Sequence, residues 1–77
     1  MINQQKYIIE KGKDIFYRIK SRLEKKYKPG QFVTIEVQSG KFFVGKTPIE
    51  ALHKAKRVFP EKQFFLTQVG RLAGTLK

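Results

Sequence analysis

Apolar residues recur at helical spacing through the first third of the chain, alternate with polar ones through the middle, and then return to helical spacing. Ile8, Ile15, Phe16, Ile19, Leu23 and Tyr27 fall on one stripe and predict an amphipathic helix over residues 3–28. Asp14 with Arg18 and Glu24 with Lys28 are acid-to-base pairs four apart, which favour that helix slightly. Gly12 costs a helix interior about 1 kcal/mol against alanine, so it marks either the true start of the helix or a kink. Pro29 disfavours helix at Lys28, and Gly30 completes the stop.

Val33, Ile35 and Val37 then alternate with Phe32, Thr34 and Glu36, and Ser39-Gly40 offers a turn before Lys41 to Val44 returns. A two-residue loop pairs Val37 with Phe42 and Ile35 with Val44. Val33, Ile35, Val37, Phe42 and Val44 form the expected core face, and Phe32 and Phe43 lie on the other. Thr47-Pro48-Ile49-Glu50 reads as a capped helix start. Ala51, Leu52, Ala55, Val58 and Phe59 supply its apolar stripe, and Pro60 ends it. Residues 63–69 read as a third strand closed by Gly70.

The order helix-strand-strand-helix-strand predicts an α+β fold, a three-stranded sheet packed by two helices. The third strand fits antiparallel beside the first, or parallel beside the second after a right-handed crossover; the first arrangement is preferred. The chain reads as a single domain over 1–77: a basic amphipathic helix in 1–28, a hairpin-helix-strand unit in 31–70 and a tail in 71–77.

Charge changes the picture more than length does. Seventeen Lys and Arg against six acids give a net of +11, spread over both halves. Such a surplus attracts nucleic acid, an anionic surface or an acidic protein. Candidate polyanion contacts are Lys6, Lys13, Lys20 and Arg22 on the first helix, with Lys41, Lys54 and Arg57 beyond it. Phe32, Phe43 and Phe64 are a candidate interface, as rings that stack bases or cover a partner. If both helices pack on one face, the other stays wet and a homodimer is expected.

Catalytic chemistry finds little to work with. There is no cysteine, and His53 is the single histidine, set among lysines. Metal sites need several converging ligands, so no metal and no cofactor are expected. No glycine-rich phosphate loop of common spacing is present. No apolar run suits a signal peptide or a membrane span, and the expected compartment is the cytoplasm. These features point to a non-catalytic binding module rather than an enzyme. Its partner is read first as a protein and alternatively as nucleic acid.

Gly45, Thr47, Glu50, Ala51 and Ala55, followed by a strand, resemble a pattern of HicB-type antitoxins. Gln31-Phe32-Val33, Ser39-Gly40 and Val69-Gly70 extend the likeness, over Gly30 to Gly70, to a set of short prokaryotic proteins without an assigned activity. The resemblance implies a hairpin, a capped helix and a strand that together serve a protein partner. The chain departs from the HicB pattern in lacking its Pro-Asp-Leu-Pro-Gly-type segment, its extra strand and its DNA-binding tail, and in carrying a long basic first helix.

Overall fold

The computed structural model describes residues 4–70. They form α1 (Gln4–Lys26), β1 (Phe32–Ile35), β2 (Phe42–Gly45), α2 (Pro48–Val58) and β3 (Phe65–Gln68). The three strands are antiparallel in the order β2-β1-β3, so β1 is central and the third strand lies beside the first. The tail over 71–77 lies outside the described residues.

The helices take opposite faces. Ile15, Phe16, Ile19 and Leu23 of α1 pack with Val33, Ile35, Val37, Val44, Phe65 and Val69 in one buried core. Ile8, Tyr27 and Phe42 close its margin. This is the stripe and the sheet face that periodicity assigns. α2 lies on the other face, where the Thr34 hydroxyl donates to the Ala51 carbonyl at 2.9 Å in a buried bond. Ala51 and Ala55 are fully buried there, which their small side chains allow. Val58, expected on the buried stripe, is instead 52 % exposed, because the helix touches the sheet mainly through its two alanines. The argument for a homodimer from a wet second face therefore loses its premise.

α1 runs unbroken through Gly12, neither starting nor kinking there. The reason for glycine is space: a Cβ at this position would lie 2.2 Å from Cγ of Phe65. The helix crosses β3 at the one residue that has no side chain to collide. Glu24 pairs with Lys20 at 2.7 Å rather than with Lys28, which lies beyond the helix end.

The hairpin register also differs from expectation. Ile35 faces Phe42 and Val33 faces Val44, a shift of two residues from the two-residue-loop pairing. A shift by an even number keeps every side chain on its face, so the core assignment survives the error. The longer turn exists because Glu36 anchors it. Its carboxylate accepts from the Ser39 amide at 2.8 Å and the Gln38 amide at 3.2 Å, its carbonyl accepts from Gly40, and Gly40 takes φ +78°. Position 36 looks like an ordinary polar strand residue in sequence, yet only 2 % of it is exposed.

That environment sets a pH dependence. Burial pushes the Glu36 carboxyl up, but the Ser39 side chain and amide, the Gln38 amide and the Lys62 charge together outweigh it, and the net shift is downward. A carboxyl lowered on folding stabilises above its unfolded value of about 4.3 and loses that contribution as pH falls through the folded value. Glu36→Gln should cost about 1–2 kcal/mol near neutral pH, since the amide replaces a charged acceptor. The gap between wild type and variant in chemical denaturation should narrow as pH drops below about 4. A gap that stays constant with pH would show that the charge does not hold the turn.

The second helix starts as the sequence indicates. Thr47 is the N-cap and accepts from the Glu50 amide at 3.1 Å, and Pro48 occupies the first turn. The Glu50 carboxylate reaches back to the Lys46 amide at 2.6 Å, one residue before the cap. Such caps contribute about 1 kcal/mol.

Candidate interaction surface

The cations picked from sequence do not converge. Lys6, Lys13 and Lys20 recur every seven residues and share one flank of α1, whereas Arg22 lies on the opposite flank with Lys11, Arg18 and Lys25. Lys13 is half-buried, and Lys20 is paired with Glu24. Lys54 and Arg57 belong to α2, across the sheet from α1, and Lys41 follows the hairpin turn. Lys54 is occupied, because its ammonium donates to the Val44 carbonyl at 2.7 Å and sits 3.9 Å from Glu50. His53 is exposed on α2. Among the described residues no three His, Cys, Asp or Glu come together as metal ligands, and no helix is long and apolar enough to cross a membrane.

The three candidate rings are all half-buried. Phe43 meets Phe59, the C-cap of α2, edge-on with centroids 6.3 Å apart, so that ring is partly covered. Phe64 is placed differently. It lines a recess of about 130 Å³ with Thr34, Pro48, Ile49, Leu52 and Leu66, and almost all of the lining is apolar. α2 covers β2 and β1 but leaves the β3 side of this face open. Ile49 is 65 % exposed and Leu66 is 47 % exposed along the same strip.

A second recess continues from the first, sharing Leu52 and Phe64. Gln5, Ile8 and Ile9 of α1, Lys56 of α2, and Lys62 and Gln63 before β3 complete its wall. Ile9 follows Lys6 by three positions and precedes Lys13 by four, so both lysines flank it on the helix surface. Neither recess is lined by an acid.

Sequence reasoning singled out Phe64 but not Ile9, Ile49, Leu52 or Lys56. Alternation does place Leu66 on the second face. The missing information is how far α2 reaches across the sheet, which depends on Gly45. A Cβ there would lie 2.5 Å from the Ala51 amide nitrogen, so the missing side chain seats the first turn of α2 over β2. At the other end of the molecule, Lys26, Lys28 and Lys46 border a shallow cleft around Pro29, Gly30 and Gln31, again without an acid. No protein-family model, curated protein or solved structure matches this chain.

Proposed function

We propose that this chain is a non-catalytic protein-interaction module, antitoxin-like in its hairpin-helix-strand unit, that holds its partner on the strip formed by Ile49, Leu52, Phe64 and Leu66. The observation that carries the reading is the exposure of Ile49 and Leu66 beside an apolar recess on an otherwise covered face. Apolar side chains grouped in this way mark interaction sites more often than single exposed residues do. The absence of cysteine and the basic surface suit a cytoplasmic setting.

Selection of random displayed peptides on the folded protein tests the proposal, with Leu66→Asp as the comparison. Leu66 is half-exposed, so the variant should stay within about 1 kcal/mol of wild-type stability. Peptides selected on wild type should bind the variant at least about tenfold more weakly, because an aspartate on an apolar contact must be desolvated. Equal binding to both proteins, or no enrichment from the library, would remove the strip as a docking surface.

One observation favours a second reading, nucleic-acid binding. Lys26, Lys28 and Lys46 border one cleft whose lining includes no acid. Phosphate contacts of that kind give affinity that falls steeply with salt through counterion release. Titration of short single- and double-stranded oligonucleotides at low and moderate salt separates this reading from the first.

A further inference from the structure

The flank of α1 that carries Arg22 is a row of cations. Lys11, Arg18, Arg22 and Lys25 stand seven, four and three residues apart, which keeps them on one side of the helix. All four are exposed. Lys26 follows Arg22 by four positions and lines the cleft that it shares with Lys28 and Lys46. The row therefore runs into the cleft, and it extends about 22 Å from Lys11 to Lys26 at about 1.5 Å per residue. Among the described residues no hydrogen bond or ion pair holds the side chains of Lys11, Arg18, Arg22, Lys25, Lys28 or Lys46. Three acids border the row, and two of them are engaged. Glu24 pairs with Lys20 at 2.7 Å, and Glu50 accepts from the Lys46 amide at 2.6 Å and lies 3.9 Å from the Lys54 ammonium. Asp14, four positions before Arg18, is the acid on the flank itself. Counting Lys26, seven cations against these three acids leave a positive surplus along the row.

We propose that the row and the cleft form one track for a nucleic acid duplex, held through its phosphates and not through its bases. This rests on the second reading of the cleft and extends it along α1. A duplex is a rod with one negative charge per about 1.7 Å of its axis. α1 is unbroken from Gln4 to Lys26 and sets its cations along a line of matching stiffness. Arg18 and Arg22 are neighbours one turn apart, and a guanidinium offers its donors in a fork that suits phosphate. Single strands are gripped instead by stacking their bases on exposed rings. Tyr7, 47 % exposed, lies at the far end of this flank, and Tyr17 points away from it. Tyr27, beneath Lys26, is half-buried, so the stretch from Arg18 to Lys46 offers no open stacking platform. An anionic membrane fits less well. A helix lying in a membrane interface inserts its apolar face, and here Ile15, Phe16, Ile19 and Leu23 are buried against the sheet.

Fluorescence anisotropy tests the track with DNA and RNA duplexes of about 16 base pairs, longer than the row at about 3.4 Å per pair, and with one of the DNA strands alone. At least one duplex should bind more tightly than the single strand. Its affinity should fall with salt at a logarithmic slope of about −5, as roughly six phosphate contacts require. Arg18→Gln combined with Arg22→Gln should weaken duplex binding about tenfold and make the slope shallower by about 2. Lys56→Gln combined with Arg57→Gln removes the same charge from exposed positions of α2, across the sheet, and should leave binding within about twofold of wild type. Equal losses in the two double variants would show attraction to net charge alone and overturn the track. Binding that is lost in Lys28→Gln combined with Lys46→Gln but kept in the Arg18 and Arg22 variant would also overturn it, and would leave the cleft reading standing. Tighter binding to the single strand would overturn the duplex as partner. Tighter binding to vesicles of phosphatidylserine and phosphatidylcholine than to either duplex would overturn nucleic acid in favour of a membrane surface. No binding of any oligonucleotide by the folded protein at low salt would remove the track and the cleft reading together.

Discussion

Gly12→Ala should lower the stability of this protein by about 2 kcal/mol, although alanine is the better helix former by about 1 kcal/mol. Propensity and packing oppose each other here, and distances decide between them. The new methyl would lie 2.2 Å from Cγ and 2.5 Å from Cβ of Phe65. The ring could turn away, but the Cβ cannot, because it is bonded directly to the strand backbone. The helix must therefore lift from β3 or tilt. Either motion loosens Ile15, Phe16 and Ile19, which lie on the same face of α1 and are all buried. Chemical denaturation of Gly12→Ala beside Lys11→Ala, an exposed neighbour, measures the effect. Lys11→Ala should change the midpoint little, and Gly12→Ala should shift it clearly downward. In a Phe65→Ala background, which lacks the Cγ and Cδ2 atoms nearest the new methyl, Gly12→Ala should cost less than it does in wild type, a coupling between touching residues. A midpoint that rises in Gly12→Ala would mean that helix and strand separate at no cost.

The misreading of Gly12 shows where local pattern stops being informative. Periodicity reports which face of an element is apolar, and the core of α1 and of the hairpin follows from it residue by residue. It does not report how closely two elements approach. Gly12 looks like a weak point along the chain and Gly45 like the end of a strand, and both are places where a helix rests on the sheet. The hairpin carries a similar lesson. Alternation fixes side-chain faces, so the core face is right even though the register is displaced by two residues. The turn itself depends on a carboxylate that folds back on Ser39 and Gln38, a bond that strand patterning does not suggest. For the candidate surface, Phe64 is legible as an aromatic on the second face. Ile9 is not, because it belongs to another element that meets the strip only in three dimensions. The scattering of the cations has two origins: Lys20 and Arg22, two apart on α1, fall on opposite flanks of that helix, and Lys54 and Arg57 lie across the sheet from both.

Gly45→Val should cost about 3 kcal/mol and could leave a small domain only partly folded at moderate temperature. A Cβ at position 45 would lie 2.5 Å from the Ala51 nitrogen and 3.0 Å from Ala51 Cα and the Glu50 carbonyl carbon. All three atoms are helix backbone, so no side-chain rotation relieves the overlap. Gly45 does not take a positive φ, and the cost is therefore one of space alone. Gly40 gives the contrast, with φ +78° but nothing within 4 Å of a Cβ. Gly40→Ala should cost only about 1 kcal/mol, the penalty for a left-handed residue. Displacing α2 also stretches the buried bond from Thr34 to Ala51 and moves Ile49 and Leu52 relative to Phe64 and Leu66. Peptides selected on the wild-type strip should then bind Gly45→Val weakly even under conditions where circular dichroism shows it folded. Gly40→Ala, remote from the strip, should keep wild-type binding. Equal losses of stability in the two variants would indicate that α2 does not rest on position 45. Full binding by a folded Gly45→Val would indicate that the seat of α2 does not shape the docking surface.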